Sequence, residues 1–239
     1  MLLFISDLHL APERPVLLQR FRALLRAHAG KVEALYILGD LFDAWIGDDD
    51  PDPFATEVKA LLATFSETTP LFFQRGNRDF MVGEQFAAET GAHLLEDEAV
   101  IENQGLRLLL MHGDQLCTDD IEYQQVRIQL RSPEFRRKAL ALSIPERRAL
   151  AAEYRRRSGE SLSLKPADIT DVNPEAVRQA LTHYQVDLLI HGHTHRPAIH
   201  DLEMDRRRRR AVLPDWRESE PRLGLALING KPRWIDHPD

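Results

Sequence analysis

Two hydrophobic periods alternate along this chain. Leu17, Leu18, Phe21, Leu24 and Leu25 share one helical face, as do Val58, Leu61, Leu62 and Phe65, and later Ala176, Val177, Ala180, Leu181 and Tyr184. Around them stand short apolar runs of strand length: LLFI (2–5), ALYIL (34–38), PLFFQ (70–74), LRLLLM (106–111) and VDLLI (186–190). Strand and helix in alternation predict a layered α/β fold. At the far end, RLGLALI (222–228), Asn229-Gly230 and KPRWI (231–235) predict a β-hairpin on an Asn-Gly turn. A mixed sheet or two stacked sheets is therefore expected rather than a purely parallel sheet.

From Asp119 to Lys165 the strand pattern stops, and the sequence predicts two or three helices broken near Pro133 and Pro145. The expected organisation is an α/β core formed by 1–118 and 166–239, with 119–165 inserted as a helical cap. The arginine run 206–210 lies between strand-like segments and reads as a solvated loop. WIGDDDPDPF lacks the spacing and terminal glutamate of an EF-hand and reads as a polar loop entering a helix.

Composition sharpens the contrast between cap and core. Between Glu122 and Arg157 ten basic residues face four acidic ones, so this stretch carries +6 within a chain of net charge -7. A basic module in an acidic protein suits an anionic substrate or membrane surface. A single cysteine, Cys117, excludes an intramolecular disulfide framework and fits a reducing compartment. MLLFIS has no basic leader, and Asp7 interrupts its apolar run, so a cytoplasmic location is expected.

Each of the five apolar runs ends in polar residues of metal-ligand type: Asp7 and His9; Gly39-Asp40; Gly76-Asn77-Arg78-Asp79; His112-Gly113-Asp114; and His191-Gly192-His193-Thr194-His195. Functional groups in open α/β sheets gather beyond the carboxyl ends of strands, so the five ends are expected to converge. Residues i and i+2 of an extended segment project to one side, which pairs Asp7 with His9 and His193 with His195. Asp7, His9, Asp40, Asn77, His112, His193 and His195 make seven nitrogen or oxygen donors and no thiolate. That set overfills one six-coordinate ion and suits two divalent ions sharing a carboxylate, with Asp40 as the bridge. Mn²⁺ or Fe²⁺ fits such a shell better than structural zinc. Asp79 and Asp114 read as acceptors that orient ligand imidazoles. His191 reads as a packing residue, and histidines 28, 93, 183, 200 and 237 as incidental.

These ordered motifs resemble the signature of calcineurin-like metallophosphoesterases. The resemblance implies a central β-sandwich flanked by helices. It places one metal on Asp7, His9, Asp40 and His195, and the other on Asp40, Asn77, His112 and His193. Many members carry histidine at the position of Arg78, often assigned to protonating the leaving group. A leaving phosphate, with a second pKa of about 6, hardly needs that proton. Arg78 instead suits neutralising a diphosphate.

ALYILGDLFDAWIGDDD, GNRDF, MHGDQLCTDDIEYQ, ITDVN and LIHGHTHRPAIH are similar to the UDP-2,3-diacylglucosamine pyrophosphatases of lipid A biosynthesis. That family releases UMP and 2,3-diacylglucosamine 1-phosphate (lipid X). The likeness implies Asn77, Arg78, Asp120, Ser158, Lys165 and His193 as substrate contacts, and a cap that holds the acyl chains. Leu162 stands where the family has asparagine, and Pro214 where it has glycine. Hydroxide held between two metals, most readily Mn²⁺, is expected to attack the α-phosphorus, with Asp40, Asn77, Arg78 and His193 in the catalytic group. A lipid-linked UDP-sugar substrate also implies peripheral attachment to the cytoplasmic side of the inner membrane. Leu140, Leu142 and Ile144 beside arginines suit an interfacial helix there. No nucleic acid partner is expected. The rival function is a cyclic-nucleotide or other nucleotide phosphodiesterase on the same two-metal site.

Overall fold

The computed structural model describes residues 1–164, 169–204 and 207–236, with side chains for all of these except 158–164. Two sheets stack face to face. One has the order β11-β10-β1-β2-β3-β4 and the other β5-β6-β7-β9-β8. Their strands are β1 (Leu2–Ile5), β2 (Ala34–Leu38), β3 (Leu71–Gln74), β4 (His93–Leu94), β5 (Glu98–Asn103), β6 (Leu106–Met111), β7 (Leu188–His191), β8 (Ala198–Glu203), β9 (Arg207–Val212), β10 (Arg222–Ile228) and β11 (Lys231–Asp236).

The unbroken apolar runs follow from burial on both faces of the strands. In β1, Leu2 and Phe4 point between the sheets, where they join Tyr36, Leu108, Leu110, Leu188 and Ile190. Leu3 and Ile5 point outward to helices α1 (Pro15–His28) and α2 (Pro53–Ser66), meeting Phe21, Leu24, Val58 and Leu62. The second sheet buries its outer face, through Leu109, Met111 and Leu189, against Val177 and Leu181 of α7 (Pro174–His183). The result is a four-layer α/β/β/α sandwich.

The terminal hairpin forms as expected, and β10 pairs antiparallel with β1 through Leu2↔Leu227. Pro214 does not divert it. The flanking Leu213 N–H donates to His191 O, and Trp216 N–H donates to Asp7 O, which ties this segment to both sheets. The arginine run requires a correction. Arg207 to Arg210 are not a loop but part of β9, paired parallel with β7 and antiparallel with β8, and Arg208 is buried. Backbone pairing on both sides overrides the solvation that four consecutive guanidinium groups favour.

Among the described residues between the short 3-10 turn at Asp114–Leu116 and α7 lie three helices: α4 (Ile121–Leu130), α5 (Pro133–Leu140) and α6 (Ile144–Leu164). Asp120 caps α4 by accepting from Tyr123 N, and Ser132 caps α5 by accepting from Phe135 N. Pro133 begins α5 at a position that needs no N–H, so the sequence break and the helix start coincide. The acidic loop 47–52 leads into α2 with Asp52 as its N-cap.

Candidate metal centre

The polar residues that end the strands converge as expected. Asp7, His9 and His195 bring ligand atoms within 4.8 Å of one another, as do Asp7, Asp40 and His112. Asp40 faces both groups with different oxygens, Oδ2 lying 3.9 Å from His9 Nδ1 and Oδ1 lying 3.8 Å from His112 Nε2. Asn77 Oδ1 sits 3.0 Å from His112 Nε2 and 2.9 Å from His193 Nδ1. All seven candidate ligands thus share one locality.

The backbone route to this geometry differs from the expected one. Asp7 and His9 do not extend β1. Both adopt left-handed backbone, with φ of 54° and 46°, as do Asp40 (55°), His193 (66°) and His195 (54°). Left-handed geometry costs non-glycine residues roughly 1–2 kcal/mol each, and such strain is characteristic of functional sites. Hydrogen bonds hold it in place: Asp7 N–H donates to Gly39 O and His9 N–H to Asp40 O. Gly76 packs so tightly under Asp40 that a Cβ there would lie 2.1 Å from Asp40 Oδ1.

The supporting carboxylates also act differently from expectation. Asp79 does not orient an imidazole. It accepts backbone N–H groups from Asp40, Leu41 and Gly76, at 3.2, 2.8 and 2.7 Å, and so fixes the loop that carries Asp40. Asp114 reaches up to α4 instead, accepting from Tyr123 Oη at 3.0 Å and Arg127 Nε at 2.9 Å. The acceptor that orients His112 is Leu38 O, 2.9 Å from Nδ1. Sequence reasoning missed Asp215, whose Oδ2 lies 3.6 Å from His195 Nδ1, and Ser6, whose hydroxyl donates to Asp7 Oδ2 at 2.6 Å. The one signal for either is the adjacency of Ser6 to Asp7. His191 is fully buried and outside both ligand groups, as its packing assignment requires.

The donor set fits divalent cations. His9 Nδ1 is buried without a hydrogen-bond partner, a costly arrangement for a polar atom unless an ion meets it, and Asp7 Oδ1, equally buried, faces His195 Nε2 at 3.3 Å. Burial pushes His9 down to about 4 and His193 down to about 3, so both imidazoles are neutral and able to ligate at neutral pH. Burial opposes ionisation of Asp7, but the His195 hydrogen bond and charge outweigh it and hold the carboxyl below its ordinary range. Burial, with Asp7 nearby, raises Asp40, and cationic charge beside it would reverse that shift.

A cavity of about 760 Å³ includes His9, Asp40, Asn77, His193 and His195 in its wall, together with Trp45, Phe80, Val126, Leu130, Phe135, Leu150 and Tyr154. Arg78 and Asp120 also line it, whereas Lys165 and the side chains of Ser158 and Leu162 lie outside the described residues. The arginines of the 119–157 segment largely face counter-charges. Arg127 and Arg131 meet Asp97 and Asp114, Arg147 meets Asp49, Arg148 meets Asp50, and Arg155 meets Asp43. The charge asymmetry of the sequence is therefore in large part complementarity between these helices and the loops that carry the aspartates.

The family model for calcineurin-like phosphoesterase matches residues 1–197. A UDP-2,3-diacylglucosamine hydrolase of Serratia proteamaculans is 46% identical over 216 residues, which cover 90% of each chain. One from Escherichia fergusonii is 49% identical over 201 residues, 84% of each chain. Among solved structures, an archaeal phosphodiesterase superposes with a TM-score of 0.51 at 13% identity, covering 98% of each chain, a likeness of fold. With its strand-end ligand set and two-sheet sandwich, the chain belongs to the calcineurin-like phosphoesterase family.

Proposed function

We propose that this chain hydrolyses the pyrophosphate bond of UDP-2,3-diacylglucosamine, giving UMP and 2,3-diacylglucosamine 1-phosphate. The observation that carries this reading is the cavity, which joins a metal-ligand group to an apolar wall large enough for lipid chains. Relatives bearing that activity in their names support it over a cyclic-nucleotide phosphodiesterase, which has little use for such a wall.

Asp7, His9, Asp40 and His195 would hold one divalent cation, and Asp40, Asn77, His112 and His193 the other, with Mn²⁺ preferred by the mixed nitrogen and oxygen donors. Divalent cations bound there supply acidified water and neutralise phosphoryl charge. The chain's own residues do the placing. Arg78 N–H donates to Asp40 Oδ1 at 2.8 Å, which sets the Arg78 guanidinium beside the cavity for a diphosphate oxygen. Asn77 and His193, 2.9 Å apart, flank the same space and steady the transferring phosphoryl group. By the family likeness, Asp120, Ser158 and Lys165 would supply further polar contacts, and residues 119–165 would serve as a cap that orients the lipid.

The substrate's acyl chains imply contact with the cytoplasmic face of the inner membrane. Ile121 and Ile128, 67% and 69% exposed and two helical turns apart on α4, and Leu140 beside Arg137 on α5, are the exposed apolar side chains suited to it. Flotation with anionic vesicles at low salt tests this; protein that stays at the bottom with or without substrate overturns it. For the reaction, UMP release from UDP-2,3-diacylglucosamine is measured with and without Mn²⁺ against a cyclic nucleotide control. Metal-dependent UMP release is expected, and turnover of the cyclic nucleotide alone would overturn the reading. In ¹⁸O-water the label enters UMP if the α-phosphorus is attacked, and label in the sugar phosphate refutes that step.

A further inference from the structure

Tyr123 belongs to α4 in sequence but meets the metal centre in space. Its ring stacks on the imidazole of His193, with centroids 5.7 Å apart and planes 30° from parallel. The same imidazole also meets His112 edge-on at 5.1 Å. His193 thus contacts both a histidine at the end of β6 and a tyrosine of α4. Stacked and edge-on contacts at these separations favour one ring orientation over its alternatives.

The tyrosine is itself fixed at both ends. Its backbone N–H donates to the helix cap Asp120 at 3.0 Å, and its hydroxyl donates to Asp114 at 3.0 Å. Asp114 stands two residues beyond His112 and is completely buried. A side chain pinned in this way has little rotamer freedom left to lose when it braces a neighbour. His193 needs bracing, since its backbone sits at φ 66° and its Nδ1 must stay aimed at Asn77.

We propose that Tyr123 is a positioning residue, its ring locking the His193 imidazole in the orientation that metal binding requires. The proposal rests on the reading of these seven residues as a two-metal centre. It makes α4 part of the metal site's support as well as a wall of the lipid cavity. Displacement of α4 would then be felt at His193.

Calorimetric titration of Mn²⁺ into the chelator-stripped full-length protein tests this without any lipid substrate. Failure of the assigned substrate would therefore leave the result intact. Tyr123→Met, which keeps apolar bulk but removes the flat ring, is expected to weaken Mn²⁺ binding by about 10- to 100-fold, the usual effect of losing a residue that orients a ligand. Tyr123→Phe keeps the ring and loses the pin, so an intermediate loss is expected. In turnover, Tyr123→Met should lower kcat with KM for the lipid little changed. Leu130→Ala, at an apolar part of the same cavity, should raise KM and leave the Mn²⁺ titration as in the wild type. Wild-type Mn²⁺ affinity in Tyr123→Met, with only KM raised, overturns the proposal. Should Tyr123→Met not fold, Tyr123→Leu, which also removes the ring, decides, and unaltered metal affinity in that variant overturns it equally.

Discussion

Replacing Asp114 by alanine removes the carboxylate on which α4 is seated. In the intact protein it is completely buried and meets Tyr123, Arg127 and Arg131, at 3.0, 2.9 and 3.5 Å. The side chains of both arginines are 14% exposed, and their other carboxylate partner, Asp97, is 43% exposed. Deleting one partner of a buried ion pair costs about 3–5 kcal/mol, chiefly through the charge left behind. Asp97 remains to compensate both guanidinium groups, so the lower end, about 3 kcal/mol, is expected here. For a chain of this size that corresponds to a fall in Tm of about 6–12 °C.

The pH dependence of this deficit has a definite sign. Burial works against ionisation of Asp114, but Arg131, His112 and Arg127 outweigh it and hold the carboxyl well below the usual carboxylate range. A carboxyl depressed in the folded state stabilises it above the unfolded pKa, and that contribution is lost as pH falls. The gap in Tm between wild type and Asp114→Ala should therefore be constant above about pH 5 and narrow in acid. Scanning calorimetry across that range, with hydrogen exchange of the α4 amides, reads both effects. Superimposable melts at neutral pH with equal protection of α4 would refute the assignment of Asp114 as the seat of that helix.

Gly76→Ala and Gly192→Ala place a Cβ 2.1 Å from Asp40 Oδ1 and 2.1 Å from Asp7 Oδ2 respectively. Both variants should lose Mn²⁺ binding by calorimetry while keeping the wild-type circular dichroism spectrum; normal titrations would show that the carboxylates need no such close seat. Asp40→Ala should abolish UMP release, and appreciable residual turnover would remove Asp40 from the catalytic group. Dialysis against a chelator should stop turnover, with recovery on adding Mn²⁺; activity that persists in the stripped protein contradicts the metal assignment. Burial, reinforced by Asp114, pushes the Cys117 thiol up to about 12, so it should resist iodoacetamide at pH 8 until the protein is unfolded. Rapid alkylation of the native protein would count against that burial.

The sandwich and the clustering of polar residues at its strand ends are legible in the sequence because both are written in local pattern. LLFI, ALYIL and LRLLLM carry the unbroken apolar pattern of doubly buried strands, and the polar residues at their ends mark the site. What is not legible depends on partners distant in sequence. Arg207 to Arg210 form a strand because β7 and β8 pair with them from either side, which no property of the run itself reveals. Asp114 sits in a histidine-glycine-aspartate motif that suggests service to an imidazole, yet its donors come from a helix that begins later in the chain. Asp215 lies in a segment without periodicity, and only the return of the chain beside Asp7 brings it to His195. The basic charge of the 122–157 stretch can be counted from composition, but composition does not show that loop aspartates 43, 49 and 50 answer it.

The left-handed backbone shared by Asp7, His9, Asp40, His193 and His195 also sets what laboratory evolution of this protein can achieve. Glycine at any of these positions relieves backbone strain, and asparagine tolerates it better than histidine does. Selection for thermal stability alone should therefore drive substitutions into these positions, yielding variants that melt higher and no longer turn over. Libraries screened for heat resistance would enrich for inactive protein unless activity is selected at the same time.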